Sequence, residues 1–156
     1  MQTSGDITVD VDRVTAFAFV QDAERLASCI PGCHDLREVS PGHYTAVLTS
    51  RVAFMSLSFK VAIDVVKTEP PSAIDAKITG DAVGVPGHIV ATASLQLREA
   101  GDRRTAIHYV TEVGLAGRLG GIGEPVFRAT SVQLAREFGA KLKQGIEAGG
   151  AVGRHA

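Results

Sequence analysis

From His34 to Val113 apolar residues recur at every second position, and turn-forming residues interrupt them at regular intervals. Leu57, Phe59, Val61, Ile63 and Val65 fall on one side of an extended chain, with Ser58, Lys60 and Asp64 on the other. The same reading groups Ile74, Ala76 and Ile78, then Ile89, Ala93, Leu95 and Leu97, then Ile107, Tyr109 and Val113. Pro41-Gly42, Ala53 to Ser56, Glu69-Pro70-Pro71-Ser72, Val85-Pro86-Gly87 and Ala100-Gly101-Asp102 separate the runs. Successive side chains of a strand point to opposite faces, so this pattern predicts an antiparallel sheet with one wet and one apolar side. The apolar side needs a cover.

The period changes where that cover is expected. Leu119, Ile122, Val126, Phe127, Thr130, Leu134, Phe138, Leu142 and Ile146 recur at steps of three and four, with Arg128, Arg136, Glu137, Lys141 and Lys143 elsewhere on the wheel. This is one long amphipathic helix, and each large side chain it buries contributes ~1.5–3 kcal/mol. Pro125 would break a helix that began at Leu119, whereas one that starts near Glu124 accepts it in the first turn. The preceding glycines (Gly114, Gly117, Gly120, Gly121 and Gly123) lack the Gly-Lys-Ser/Thr ending of a phosphate loop, and no parallel strand-to-helix unit surrounds them. They read as a bend, and Gly117 to Gly123 is expected to form a flap at one end of the space between sheet and helix, facing Pro31-Gly32.

At the other end of the chain, Ile7, Val9 and Val11 alternate with Asp6, Thr8 and Asp10, as in a half-buried strand. Asp12 is placed to cap a short helix from Arg13 to about Val20, and Asp22 a second from Ala23 to Cys29 that Pro31 and Gly32 terminate. With 156 residues the chain is long enough for one domain with its own core, expected over residues 1–148, with a flexible tail at 149–156. A net charge of −1 from 16 basic and 17 acidic residues creates no field that would draw in nucleic acid, and Trp is absent. No apolar run approaches the ~20 residues of a spanning helix, and nothing at the start resembles a secretory signal. The expectation is a cytoplasmic protein that can visit the inner face of the membrane.

Both cysteines lie in Cys29-Ile30-Pro31-Gly32-Cys33. Thiol-exchange pairs place two residues between the sulfurs; here there are three, and Pro-Gly breaks the helix between them. Zinc needs four ligands, or three and an open position, and only Cys29, Cys33 and His34 cluster locally. Two thiols packed at a helix end is the first reading, with a metal, redox or regulatory role as the alternatives. Elsewhere there is no His-Glu-x-x-His and no Gly-x-Ser-x-Gly. His108 and Glu112 share a polar strand face and read as a surface pair. Tyr44 and Tyr109 alternate with the inward set, each either offering a hydroxyl to a cavity or bonding it to backbone. Small inward residues (Ala46, Ser50, Ala76, Gly80, Ala91, Ala93) leave room that Leu or Phe would fill.

The order strand, two short helices, six strands and a long C-terminal helix resembles the helix-grip architecture of the START and polyketide-cyclase superfamily. The implied fold is α+β, a curved seven-stranded antiparallel sheet wrapping the last helix with two short helices after strand 1. Within it, the Cys29-Ile30-Pro31-Gly32-Cys33 segment resembles the signature of the CoxG family associated with carbon monoxide dehydrogenases. Met1 to Asp6, Phe59-Lys60 through Glu69-Pro70-Pro71, and Gly117-Arg118-Leu119-Gly120 are similar to further parts of that family.

The resemblance implies a non-catalytic accessory protein of a molybdenum-containing hydroxylase, helping to dock it at the membrane and carrying a hydrophobic ligand such as a respiratory quinone. Many members continue into a membrane-anchoring segment; this sequence ends at Ala156, so transient membrane contact or a purely soluble role is expected. No metal or resident cofactor is called for. The expected lining is Phe59, Ile89, Tyr109, Val126, Phe127, Thr130 and Leu134, with Leu26, Ile30, Pro31 and Gly32 at the mouth and Ile122 on the flap. The rivals are a cyclase-type enzyme that uses Tyr44, Tyr109 and Thr130, and an assembly factor with a filled core.

Overall fold

The computed structural model describes residues 2–52, 55–84, 86–117 and 124–154. The strands are β1 (Gln2–Val9), β2 (Cys33–Ser40), β3 (His43–Val52), β4 (Met55–Glu69), β5 (Ala73–Ala82), β6 (Gly87–Glu99) and β7 (Thr105–Gly117). They form one antiparallel sheet in the order β1-β7-β6-β5-β4-β3-β2, so the first strand pairs with the last and β2 lies at the far edge. The helices are α1 (Arg13–Gln21), α2 (Ala23–Ser28) and α3 (Glu124–Arg154). This is the helix-grip arrangement of the START type, and α3 starts where Pro125 requires it to. Its helical backbone continues past residue 148 to Arg154.

Local chemistry explains the entry into the fold. The Asp12 carboxylate accepts the Thr15 amide at 3.1 Å, and Asp22 accepts the amides of Glu24 and Arg25 at 3.1 and 3.2 Å, satisfying first-turn donors that have no helical partner. The Thr15 hydroxyl bonded to Asp12 holds that carboxyl below the usual carboxylate range, with the amide bond from Thr15 adding to it. Between β4 and β5 the register slips at Val65/Lys67, and the bulged Val66 is 64% exposed. Such a slip bends a strand and increases its twist.

Two apolar clusters occupy the inner side. The first joins β1, β7, β6 and α1 to the C-terminal half of α3: Val9, Phe17, Val20, Leu97, Ile107, Leu142 and Ile146 are all buried there. Polar bonds reinforce this end. Lys143 Nζ donates to the Thr8 carbonyl at 3.0 Å, the Asp10 amide donates to Glu147 at 3.0 Å, and the buried Thr105 hydroxyl donates to the Val11 carbonyl at 2.8 Å. The first two also occupy groups on the open edge of β1, which an unpaired strand would leave bare.

The second cluster is Ala46, Leu57, Phe59 and Val61, with Leu48, Ile63, Ile78 and Ile89 packed against it. Gly80 does not leave the space expected of it: a Cβ there would come within 2.7 Å of Val61 Cγ1 and 3.1 Å of Ile89 Cγ2, so the neighbours already fill the gap. The outer face carries His–Asp pairs across neighbouring strands: His43–Asp64, His88–Asp81 and His108–Asp6, at 2.6, 2.9 and 2.8 Å. His108 therefore pairs across to β1, where Asp6 is its register partner, and not along its own strand with Glu112.

Candidate functional site

The inner face opens where the N-terminal half of α3 passes β3. A cleft of about 720 Å³ lies there, with Pro31, Gly32, Thr49, Ser50 and Arg51 on one side. The α3 side supplies Pro125, Ala129, Thr130, Gln133, Leu134 and Glu137. Among its described walls, prolines, alanine and leucine mix with hydroxyls, an amide and one charge of each sign.

The lip is built by the five-residue segment after α2. The Ile30 amide closes onto Ala27 O at 3.0 Å and the Cys33 amide onto Ile30 O at 3.2 Å, which reverses the chain. Gly32 has φ +78°, in the left-handed region, and its carbonyl accepts the Thr49 amide at 3.0 Å. A Cβ at Gly32 would collide with the Thr49 carbonyl oxygen, a backbone atom that cannot swing aside. The turn is thus pinned against β3 by a contact only glycine permits. Thr49 is the node on the other side: its hydroxyl lies 3.2 Å from His34 Nε2 and 3.1 Å from the Ser58 hydroxyl.

Neither sulfur is set up for nucleophilic work. Cys29 is buried and Cys33 half-buried, both are free thiols, and burial pushes both thiols up, whereas a reactive thiolate needs the opposite shift. The Cys29 thiol donates to Arg25 O at 3.5 Å, closing the end of α2. Among the described residues no three His, Cys, Asp or Glu side chains converge as metal ligands.

Of the residues expected from the sequence, Pro31, Gly32, Thr130 and Leu134 meet in the cleft. Leu26 packs against the first cluster, and Ile30 is half-buried in the lip turn. Phe59 and Ile89 lie in the second cluster. Tyr109 is buried in the first, where its hydroxyl donates to Ala135 O at 3.2 Å and its ring meets Phe138 edge-on at 5.7 Å. Burial pushes its phenol up, and the Asp6 carboxylate adds to the shift. A Cβ at Gly5 would collide with that hydroxyl and one at Gly139 would lie 3.0 Å from it, so Tyr109 fills a slot between β1 and α3. Tyr44, half-buried on β3, is raised by burial and by neighbouring Glu38. Ile122 and the expected flap after Gly117 fall outside the described residues, as do the side chains of Val126 and Phe127.

The sequence reading missed Thr49, Arg51, Ala129, Gln133 and Glu137. A signal existed: Pro125, Ala129, Gln133 and Glu137 stand four apart and form one row on α3. The row is small and polar, so a search for apolar periodicity assigns it to solvent.

A curved sheet gripping a long helix, with a mixed apolar and polar cleft between them, defines a START-type protein with a ligand-sized opening. The chain belongs to the CoxG family of carbon monoxide dehydrogenase, whose family model matches residues 5–147. Among solved structures it is similar to a conserved protein from Geobacillus kaustophilus, at 23% identity and TM-score 0.83, covering 94% of this chain and 95% of that one. A START superfamily protein from Mycobacterium smegmatis matches at 11% identity and TM-score 0.70, over 94% and 97% of the two chains. The ZhuI aromatase/cyclase from a Streptomyces species matches at 14% identity and TM-score 0.69, over 94% and 93%. No protein of curated function matches. Among the described residues no helix is long and apolar enough to cross a membrane.

Proposed function

We propose that this protein is a non-catalytic accessory protein of a molybdenum-containing hydroxylase of the carbon monoxide dehydrogenase type, and that it holds an elongated hydrophobic molecule, quinone-like in character, in the cleft between α3 and β3. The observation that carries the reading is the cleft itself. At about 720 Å³ it is in the size range of small-molecule sites, and Pro31, Pro125, Ala129 and Leu134 give it apolar walls. Membership of the CoxG family supports the accessory role and the choice of partner. Residence in the cytoplasm with transient contact at the membrane's inner face is part of the same proposal, because an apolar cargo has to be collected from lipid and returned to it.

The cyclase-type alternative draws on the aromatase/cyclase among the structural neighbours. It would need convergent polar groups in the cleft. The Tyr109 hydroxyl is bonded to backbone in the first cluster, which leaves that enzyme without its best candidate acid. Organic extraction of the purified protein followed by mass spectrometry tests the proposal. A stoichiometric isoprenoid or similarly apolar molecule is expected, and a protein that neither retains nor takes up such a molecule would sink the carrier reading in favour of an assembly factor.

A further inference from the structure

We propose that Arg51 selects the head of the ligand, so that the cleft takes an elongated apolar molecule ending in a hydrogen-bond-accepting oxygen, either a carboxylate or a ring carbonyl. The inference rests on the reading of the cleft as a ligand site.

Shape comes first. The row from Pro125 to Glu137 follows three turns of α3, about 18 Å at ~1.5 Å per residue, so this wall suits a long molecule laid along the helix. Charge then orients it. Two of the described lining residues are charged, Arg51 and Glu137. Glu137 already accepts a hydrogen bond from Gln133 Nε2 at 3.2 Å. Among the described residues the Arg51 side chain has neither a hydrogen bond nor an ion pair, whereas Arg13, Arg25 and Arg104 each face a carboxylate at 3.8, 3.7 and 3.2 Å.

The guanidinium only donates, stays charged at any working pH, and presents a planar fork of N–H groups. It matches a carboxylate with two parallel bonds and a ring carbonyl with one, and it repels a cationic head. The neighbouring Thr49 hydroxyl is engaged with His34 and Ser58, so it does not compete for the same atom. Arg51 projects from the β3–β4 ladder opposite Ser56, a mount whose backbone does not have to reorganise when a ligand arrives.

The test uses the full chain and displacement of the neutral fluorophore N-phenyl-1-naphthylamine by three molecules that share a ten-carbon tail: decanoate, decylubiquinone and decyltrimethylammonium. Arg51→Leu is expected to weaken decanoate or decylubiquinone about tenfold while the cation binds equally or more tightly. Whichever acceptor loses more identifies the head as carboxylate or carbonyl. Equal change for all three, or none, overturns the proposal. Arg51→Lys keeps the charge without the fork, and should retain the discrimination against the cation while losing part of the acceptor affinity; it serves if the leucine variant misfolds. Leu134→Asp separates the two levels of inference. If it leaves fluorophore uptake intact, the cleft is not the binding place and both readings fall. If it abolishes uptake while Arg51→Leu leaves head selection unchanged, only the Arg51 assignment fails.

Discussion

The two halves of α3 meet the sheet in opposite ways. Its C-terminal half inserts Leu142 and Ile146, 0% and 1% exposed, among Val9, Leu97 and Ile107, and pins β1 through Lys143 and Glu147. Its N-terminal half faces the cleft with Ala129, Thr130, Gln133 and Leu134, and the opposite wall is a turn held to β3 by Gly32. One helix thus serves as an anchor at one end and as the wall of a site at the other. The lesson is that stability and binding are separated along a single element, so they should respond to different substitutions.

The largest effect should come from breaking the anchor. Leu142→Ala removes a fully buried side chain and is expected to cost about 2–5 kcal/mol, whereas Leu134→Ala at the cleft should cost less than about 1 kcal/mol and weaken ligand uptake instead. Urea unfolding of both variants checks this, and equal losses would erase the distinction between the two halves. Next comes the lip. Gly32→Ala puts a Cβ into the Thr49 carbonyl at positive φ and should destabilise by about 1–3 kcal/mol, with apolar-probe binding reduced in whatever protein remains folded.

A smaller loss is expected from Tyr109→Phe, which removes one bond to Ala135 O: about 0.5–1.5 kcal/mol by thermal denaturation, with uptake unchanged because that hydroxyl lies outside the cleft. Loss of binding in this variant would return Tyr109 to the site. The smallest effect concerns Asp12, at the anchored end. Its carboxyl is held low in the folded protein, so its contribution is present above the unfolded carboxyl value near ~3.9 and disappears as pH falls through the lower folded value. Asp12→Ala should cost about 1 kcal/mol at neutral pH, and the gap to wild type should shrink on acidification. Asp12→Asn keeps a cap that does not titrate, so its stability should vary less with pH over that range.

Much of this architecture was legible in residue order. The alternation through Leu57, Phe59, Val61, Ile63 and Val65 named the inner face of β4, Asp12 and Asp22 named the helix starts, and Pro125 located the start of α3. These are local rules, in which a residue's own backbone preferences and those of its neighbours suffice. The candidate site was legible only in part. Pro31, Gly32, Thr130 and Leu134 were named, whereas Phe59, Ile89 and Tyr109 pointed inward as expected but ended in packed clusters.

Direction along a strand follows from period two, and so the chain alone specified which side of the sheet each residue faces. Whether an inward residue meets another side chain or open space depends on the curvature of the sheet and the path of α3 across it. The neighbours that fill Gly80's position, the carbonyl that excludes a Cβ at Gly32, and the row of small and polar residues turned toward β3 are contacts between segments far apart in sequence. The sequence determined the inner face, the caps and the order of elements, because each follows from local stereochemistry. The tertiary structure alone decided where the interior is packed and where it opens, because a cavity is a property of two surfaces and of neither by itself.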